Sequence, residues 1–222
     1  MPSRIFPFVN DYFYHIYNRG SEKSPIFHTR RDYQRFMKTL YYYQHLGPKP
    51  KFSHFSQFQT YKLDSSKKIV NITAYCLMPN HFHLLIKQVA DGGITEFISK
   101  VSNSYTKYYN TKHNRIGPLF QGEFKAVMVE KDEQLLHLSR YIHLNPLVSL
   151  LVKNLDDYEW SSYKEYLGGS GISCKQEILS FFKDSRAYKQ FILDQADYRM
   201  RLEQIKHQVL EEIWAGTLGV EN

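Results

Sequence analysis

Ile69-Val70-Asn71-Ile72-Thr73-Ala74-Tyr75-Cys76-Leu77-Met78, then Pro79-Asn80, then His81-Phe82-His83-Leu84-Leu85-Ile86 reads as strand, tight turn and strand. The β-branched and aromatic residues favour extended backbone, and the Pro-Asn pair turns the chain back on itself. Side chains alternate along a strand, so His81 and His83 share one face while Phe82 points into the opposite layer. Two neutral imidazoles placed in this way are a ligand pair for a divalent cation. The alternative reading is a pair of partly exposed sheet histidines, or one satisfied core histidine.

Upstream of this hairpin, residues 12–18 (Tyr-Phe-Tyr-His-Ile-Tyr-Asn) form a further strand that ends at Arg19-Gly20. The spacing of Tyr33, Phe36, Met37 and Leu40 predicts a helix from about Thr29, a suitable N-cap. Residues 47–68, with Gly47-Pro48, Pro50, several Ser and five Lys against Asp64, read as a basic loop or flexible hairpin. Downstream, Ile94, Phe97, Ile98, Val101, Tyr105 and Tyr108 predict a helix to about Tyr109. Gly117–Glu130 reads as a strand or two short strands with a bulge at Gly122. Leu135, Leu138, Tyr141 and Ile142 define a helix that Pro146 terminates or closely follows.

The resulting order, β-α-β-β-α-β-α, predicts an α+β fold: a ferredoxin-like split β-α-β sandwich. Its sheet is antiparallel with helices on one face, and C-terminal helices follow. Residues 1–165 are expected to form the main domain, with 47–68 as an insert. Residues 166–222 form a helical extension on or beside it, with a Gly168–Gly171 hinge and a last helix over about 188–215.

The chain has 222 residues with 18 Tyr, 15 Phe and 2 Trp, and a formal charge of +7. The excess is uneven: residues 1–190 hold 26 basic and 16 acidic side chains, whereas 191–222 hold 3 and 6. A basic, ring-rich body points to polyanions whose bases stack, meaning nucleic acid. Two cysteines, Cys76 and Cys174, are too few for a disulfide scaffold and read as free thiols of a reducing compartment. With no apolar run of about 20 residues and no leader-like N-terminus, the protein is expected to be cytoplasmic, nucleoid-associated when on DNA, and off the membrane.

Two further stretches carry chemistry. In Arg140-Tyr141-Ile142-His143-Leu144-Asn145-Pro146, Tyr141 and Asn145 stand one helical turn apart on one face. A phenol and an amide oxygen then address one point, and an activated phenol is a nucleophile toward phosphorus. The alternative is an amphipathic core tyrosine and a C-capping asparagine. In Ser104–Asn110 and the residues after it, Lys107, Lys112 and Arg115 interleave with rings, as a single-stranded groove requires. A solvated helix face would carry the same charges. Arg19, Lys125 and Arg140 are candidates for steadying phosphates on charge and placement.

Four segments in order resemble one family: Tyr14–Gly20, Ala74–Leu85, Gly117–Gly122 and Arg140–Pro146, with Asp157-Tyr158 and Trp160–Tyr163 following. They are similar to the IS200-like tyrosine transposases, members of the HUH endonucleases, and in particular to the branch associated with repetitive extragenic palindromes (REP). The resemblance spans about residues 12–195. It implies that His81 and His83 bind Mg²⁺ or Mn²⁺, that Asn145 completes the site, and that Tyr141 is the nucleophile. It further implies a 5′-phosphotyrosine link to single-stranded DNA with hairpins as partner, no ATP, and a monomer or homodimer. Consistently, no Gly-x-x-x-x-Gly-Lys-Ser/Thr loop occurs. Two other readings compete: a non-catalytic nucleic-acid-binding protein on the same fold, and a metal-dependent hydrolase using His81 and His83 with carboxylates.

Overall fold

The computed structural model describes residues 7–47, 50–55, 63–196 and 200. Four strands, β1 Phe13–Arg19, β2 Val70–Met78, β3 His81–Gln88 and β4 Lys125–Val129, form one sheet in the order β2-β3-β1-β4. Every neighbouring pair is antiparallel. Helices α1 Arg30–Tyr43 and α3 Gly93–Lys112 connect β1 to β2 and β3 to β4, with the short α2 Phe52–Phe55 between. This is the expected α+β split β-α-β fold.

One layer forms where alternate strand residues meet α1 and α3. Tyr14, Ile16, Phe82, Leu84 and Ile86 pack with Phe36 and Leu40 of α1 and Phe97, Val101 and Tyr105 of α3. The Tyr105 hydroxyl donates to the Ile26 carbonyl at 2.5 Å, so its polar end is satisfied inside this core. Helix α1 starts at a capping box in which the Asp32 carboxylate accepts from the Thr29 backbone N–H at 2.9 Å.

Helices on one face describes α1 and α3; the second face is covered as well. There α4 Asp132–Val148 packs Leu135, Ile142, Leu144 and Leu147 against Ala74, Cys76, Met78 and Leu85. Short helices α5 Tyr163–Tyr166, α6 Gln176–Leu179 and α7 Ser185–Leu193 complete that layer through Tyr163, Tyr166, Ile178, Tyr188 and Ile192. The cause lies in β2 and β3, which are apolar on both faces over most of their length and bury both. A bulge between Ile72 and Ala74 lets β2 serve both layers: Ile72 faces α1 and α3, and Ala74, two residues on, faces α4.

Several local expectations are corrected. The segment 117–130 yields one strand, Lys125–Val129, because Gly117 at φ 96° and Gly122 at φ 70° turn the preceding chain. Gly122 therefore marks a turn, and the bulge belongs to β2. Helix α4 runs past Pro146 to Val148 before Ser149 caps it. Within the 47–68 insert, α2 is ordered by Phe52, whose backbone N–H donates to the Tyr43 hydroxyl at 3.1 Å. Residues 48–49 and 56–62 of the insert, and the part of the expected last helix beyond residue 200, lie outside the described residues.

Candidate active site

Strand pairing assembles the polar end of the α4 face. Tyr17 lies opposite His83 and Arg19 opposite His81 across β1 and β3, while Lys125 lies opposite Tyr17 across β1 and β4. Cross-strand partners project to the same side, so His15, Tyr17, Arg19, His81, His83 and Lys125 share one face. Helix α4 crosses that face and brings Tyr141 to it. The Tyr141 ring stands edge-on to His83 with centroids 5.3 Å apart, and to His15 at 6.0 Å. The His81 and His83 rings lie 4.9 Å apart. The His81-Phe82-His83 strand and the Tyr141 helix thus come together, with His15 of β1 beside them.

The histidines are held by specific partners. His81 Nδ1 lies 2.7 Å from the Asn80 amide oxygen, and His83 Nδ1 lies 3.0 Å from His15 Nε2. Burial lowers the His81 and His15 pKa values to about 4, with the Arg19 cation adding to the effect at His81. Burial also pushes His83 well below its usual value, assisted by His81 and His15. All three imidazoles are therefore neutral at pH 7, the form that offers a lone pair.

Among the described residues, no group of three or more His, Cys, Asp and Glu side chains is arranged to hold a metal ion. The neutral His81 and His83 imidazoles, 4.9 Å apart on one face, are nevertheless ligands of a kind that binds a divalent cation. Asn145 donates its amide N–H to the Tyr141 carbonyl at 2.7 Å, so the oxygen is the end of its amide that can act as an acceptor or ligand. His81 and His83 each have Nδ1 engaged, which leaves Nε2 as the ring nitrogen without a hydrogen-bond partner among the described residues.

The remaining sequence candidates divide. Arg19 Nε donates to the Gln121 side-chain oxygen, which aims the guanidinium beside His81, and Lys125 is exposed on the same face. Arg140 is placed differently from a phosphate contact: it is 5% exposed and its guanidinium lies 3.6 Å over the Phe191 ring of α7. One residue before Tyr141, it points away into the C-terminal helices. Lys107 and Arg115 are exposed but belong to α3 and the loop after it, across the sheet from the histidines. His15, Tyr17, Asn80 and Gln121 were not singled out from the sequence. The signal was present for two of them, since His15, Tyr17 and Arg19 recur at the strand period of two.

His143, inside the same motif as Tyr141, is a core residue. It is fully buried between the Tyr188 hydroxyl at 2.8 Å and the Ser162 hydroxyl at 2.7 Å, and burial lowers its pKa to about 3.

The family model described as "Transposase IS200 like" matches residues 56–145, from the insert through β2, β3, α3 and β4 to Asn145. The segment carrying the histidine pair and Tyr141 is thus similar to that family, in line with the resemblance in sequence. A solved REP-associated tyrosine transposase bound to a REP hairpin aligns with a TM-score of 0.50 and 14% identity, over 76% of this chain and 86% of that one. At that identity the likeness speaks for the fold. A Deinococcus radiodurans R1 protein provisionally described as a transposase aligns at a TM-score of 0.36 and 12% identity, over 64% and 95%. No curated protein matches the chain.

Proposed function

We propose that the protein is an IS200-like transposase that cuts and rejoins single-stranded DNA beside hairpins through a covalent link to Tyr141. The observation that carries this reading is the approach of the Tyr141 ring to 5.3 Å from His83, on the face where neutral His81 also stands. In the matched family segment these are the side chains a phosphotyrosine mechanism needs. The hairpin partner is supported by the bound REP hairpin of the solved relative and by the chain's basic charge of +7. No helix of the described residues is long and apolar enough to cross a membrane.

A divalent cation held by His81 and His83 through Nε2 and by Asn145 through its oxygen would polarise the scissile phosphate and offset its developing charge. Tyr141 attacks phosphorus in line with the departing 3′ oxygen. The new bond joins the phenolic oxygen to phosphorus and the bond to the 3′ oxygen breaks. The phenol proton leaves to solvent and the 3′ oxygen takes one up. Phosphodiester energy is retained in the link, so a later 3′-hydroxyl reverses the step without ATP. Arg19, braced by Gln121, and Lys125 hold flanking phosphates, and Lys107 and Arg115 meet DNA that continues around the sheet end.

An end-labelled hairpin oligonucleotide incubated with Mn²⁺ and run on a denaturing gel tests the reading. The expected product is a protein-linked band that Tyr141→Phe abolishes. Free labelled fragments would instead indicate a hydrolase, and an uncut oligonucleotide with intact binding would indicate a non-catalytic binder.

A further inference from the structure

We infer that Asn80 and His15 are positioning residues, one for each metal-facing histidine, and that they preset both imidazoles with the proton on Nδ1 and the lone pair on Nε2. This rests on the proposed cation site, but the geometry behind it is independent of Tyr141.

The Asn80 half follows from hydrogen-bond polarity. Asn80 sits in the turn between β2 and β3, and its side-chain nitrogen donates to the Lys23 carbonyl at 3.0 Å. A carbonyl only accepts, so this contact fixes which end of the amide is nitrogen. The amide oxygen therefore faces His81 Nδ1 at 2.7 Å, and that nitrogen must carry the proton. The turn itself is tied down, since the Gly20 N–H donates to the Asn80 carbonyl at 2.8 Å and the Ile26 N–H to the Pro79 carbonyl at 2.8 Å. No side chain fits at Gly20, because a Cβ there would collide with the Ser24 carbonyl.

The His15 half follows from proton count taken together with the proposed cation site. His15 Nε2 and His83 Nδ1 are 3.0 Å apart with near-parallel rings, 25° between planes. A bond between two neutral imidazole nitrogens holds one proton. Only with that proton on His83 does its Nε2 present a lone pair beside that of His81; with it on His15, the His83 Nε2 would carry hydrogen and repel a cation. Partners that fix tautomer and ring orientation in this way raise metal affinity about 10–100-fold in known sites.

Nitrogen-15 NMR of the histidine rings at pH 7.5, with no metal added, reads the tautomers directly. Wild type is expected to show Nδ1–H at both His81 and His83. Asn80→Ala is expected to give His81 a mixed tautomer, and His15→Phe to do the same at His83. By electron paramagnetic resonance each variant should bind Mn²⁺ about 10–100-fold more weakly, with His15→Gln, whose amide oxygen still accepts, restoring most of the loss. An Nε2–H signal at His81 or His83 in wild type overturns the inference, and so do variants with unchanged tautomers and unchanged Mn²⁺ affinity. If a variant fails to fold, the wild-type spectrum decides. Tyr141→Phe should keep both tautomers and Mn²⁺ binding, so failure of covalent chemistry and failure of this inference are told apart.

Discussion

The two faces of the sheet are built from the same strands and differ in what one end of them carries. On the α1 and α3 side, Ile16, Phe82, Leu84 and Ile86 form a continuous buried apolar row, with the buried Asn18 and Gln88 as its polar ends. On the α4 side, Leu85, Ala74 and Val129 are apolar at one end, while Arg19, His81 and His83 crowd the other. Alternation thus lets one strand serve stability and chemistry at adjacent positions. Phe82 and His83 are chain neighbours with opposite duties, and a substitution at each should separate them.

Phe82→Ala should have the largest effect, a loss of about 3–5 kcal/mol of stability for an aromatic core truncation, seen as a lower urea midpoint. If the variant keeps its midpoint and loses cleavage, the division of labour between the faces is wrong. His83→Ala should do the reverse, lowering the Mn²⁺-dependent adduct rate at least about 100-fold, or about 2.7 kcal/mol, with only a small change in midpoint.

Asp32 sharpens the comparison from the apolar side. Its carboxylate is fully buried, which alone would raise its pKa, but hydrogen bonds from Lys112, Thr29, Tyr108 and His28 bring it down to about 2. A depressed carboxylate pKa stabilises the fold above the unfolded value near 4, and that contribution drains away as pH falls from about 4 to 2. Asp32→Asn should therefore cost about 2 kcal/mol at pH 7 and converge with wild type near pH 2 in urea titrations. A gap that persists at pH 2 would count against this assignment. The smallest effect is expected at Lys125: Lys125→Ala should reduce the salt slope of single-strand binding by about 0.7 and leave stability unchanged.

Much of this was legible in the sequence because period-two and helical spacing report burial locally. The hairpin around Pro79-Asn80 and the shared face of His81 and His83 follow from such spacing, whereas the reach of Tyr141 toward them was implied by the resemblance to the IS200-like transposases. What was not legible depends on distant packing. Arg140 reads as a free cation, yet Phe191, far along the chain, covers it. His143 and His83 look alike as letters; Tyr188 and Ser162 occupy both nitrogens of the first, whereas only Nδ1 of the second meets a hydrogen-bond partner among the described residues. The β2 bulge likewise has no short-range signature, because it records how two layers fit one strand, whereas the covering of the second face had one in the near-continuous apolar runs of β2 and β3.

Mass spectrometry of the trapped protein–oligonucleotide adduct tests the central assignment most directly. Trypsin cuts after Arg140, so the peptide 141–153 begins with the proposed nucleophile. The account predicts the nucleotide mass on that peptide, at Tyr141, and only when Mn²⁺ or Mg²⁺ is present. Nucleotide found on Tyr17, Tyr105 or another residue, or an adduct that forms equally well without the cation, would contradict it.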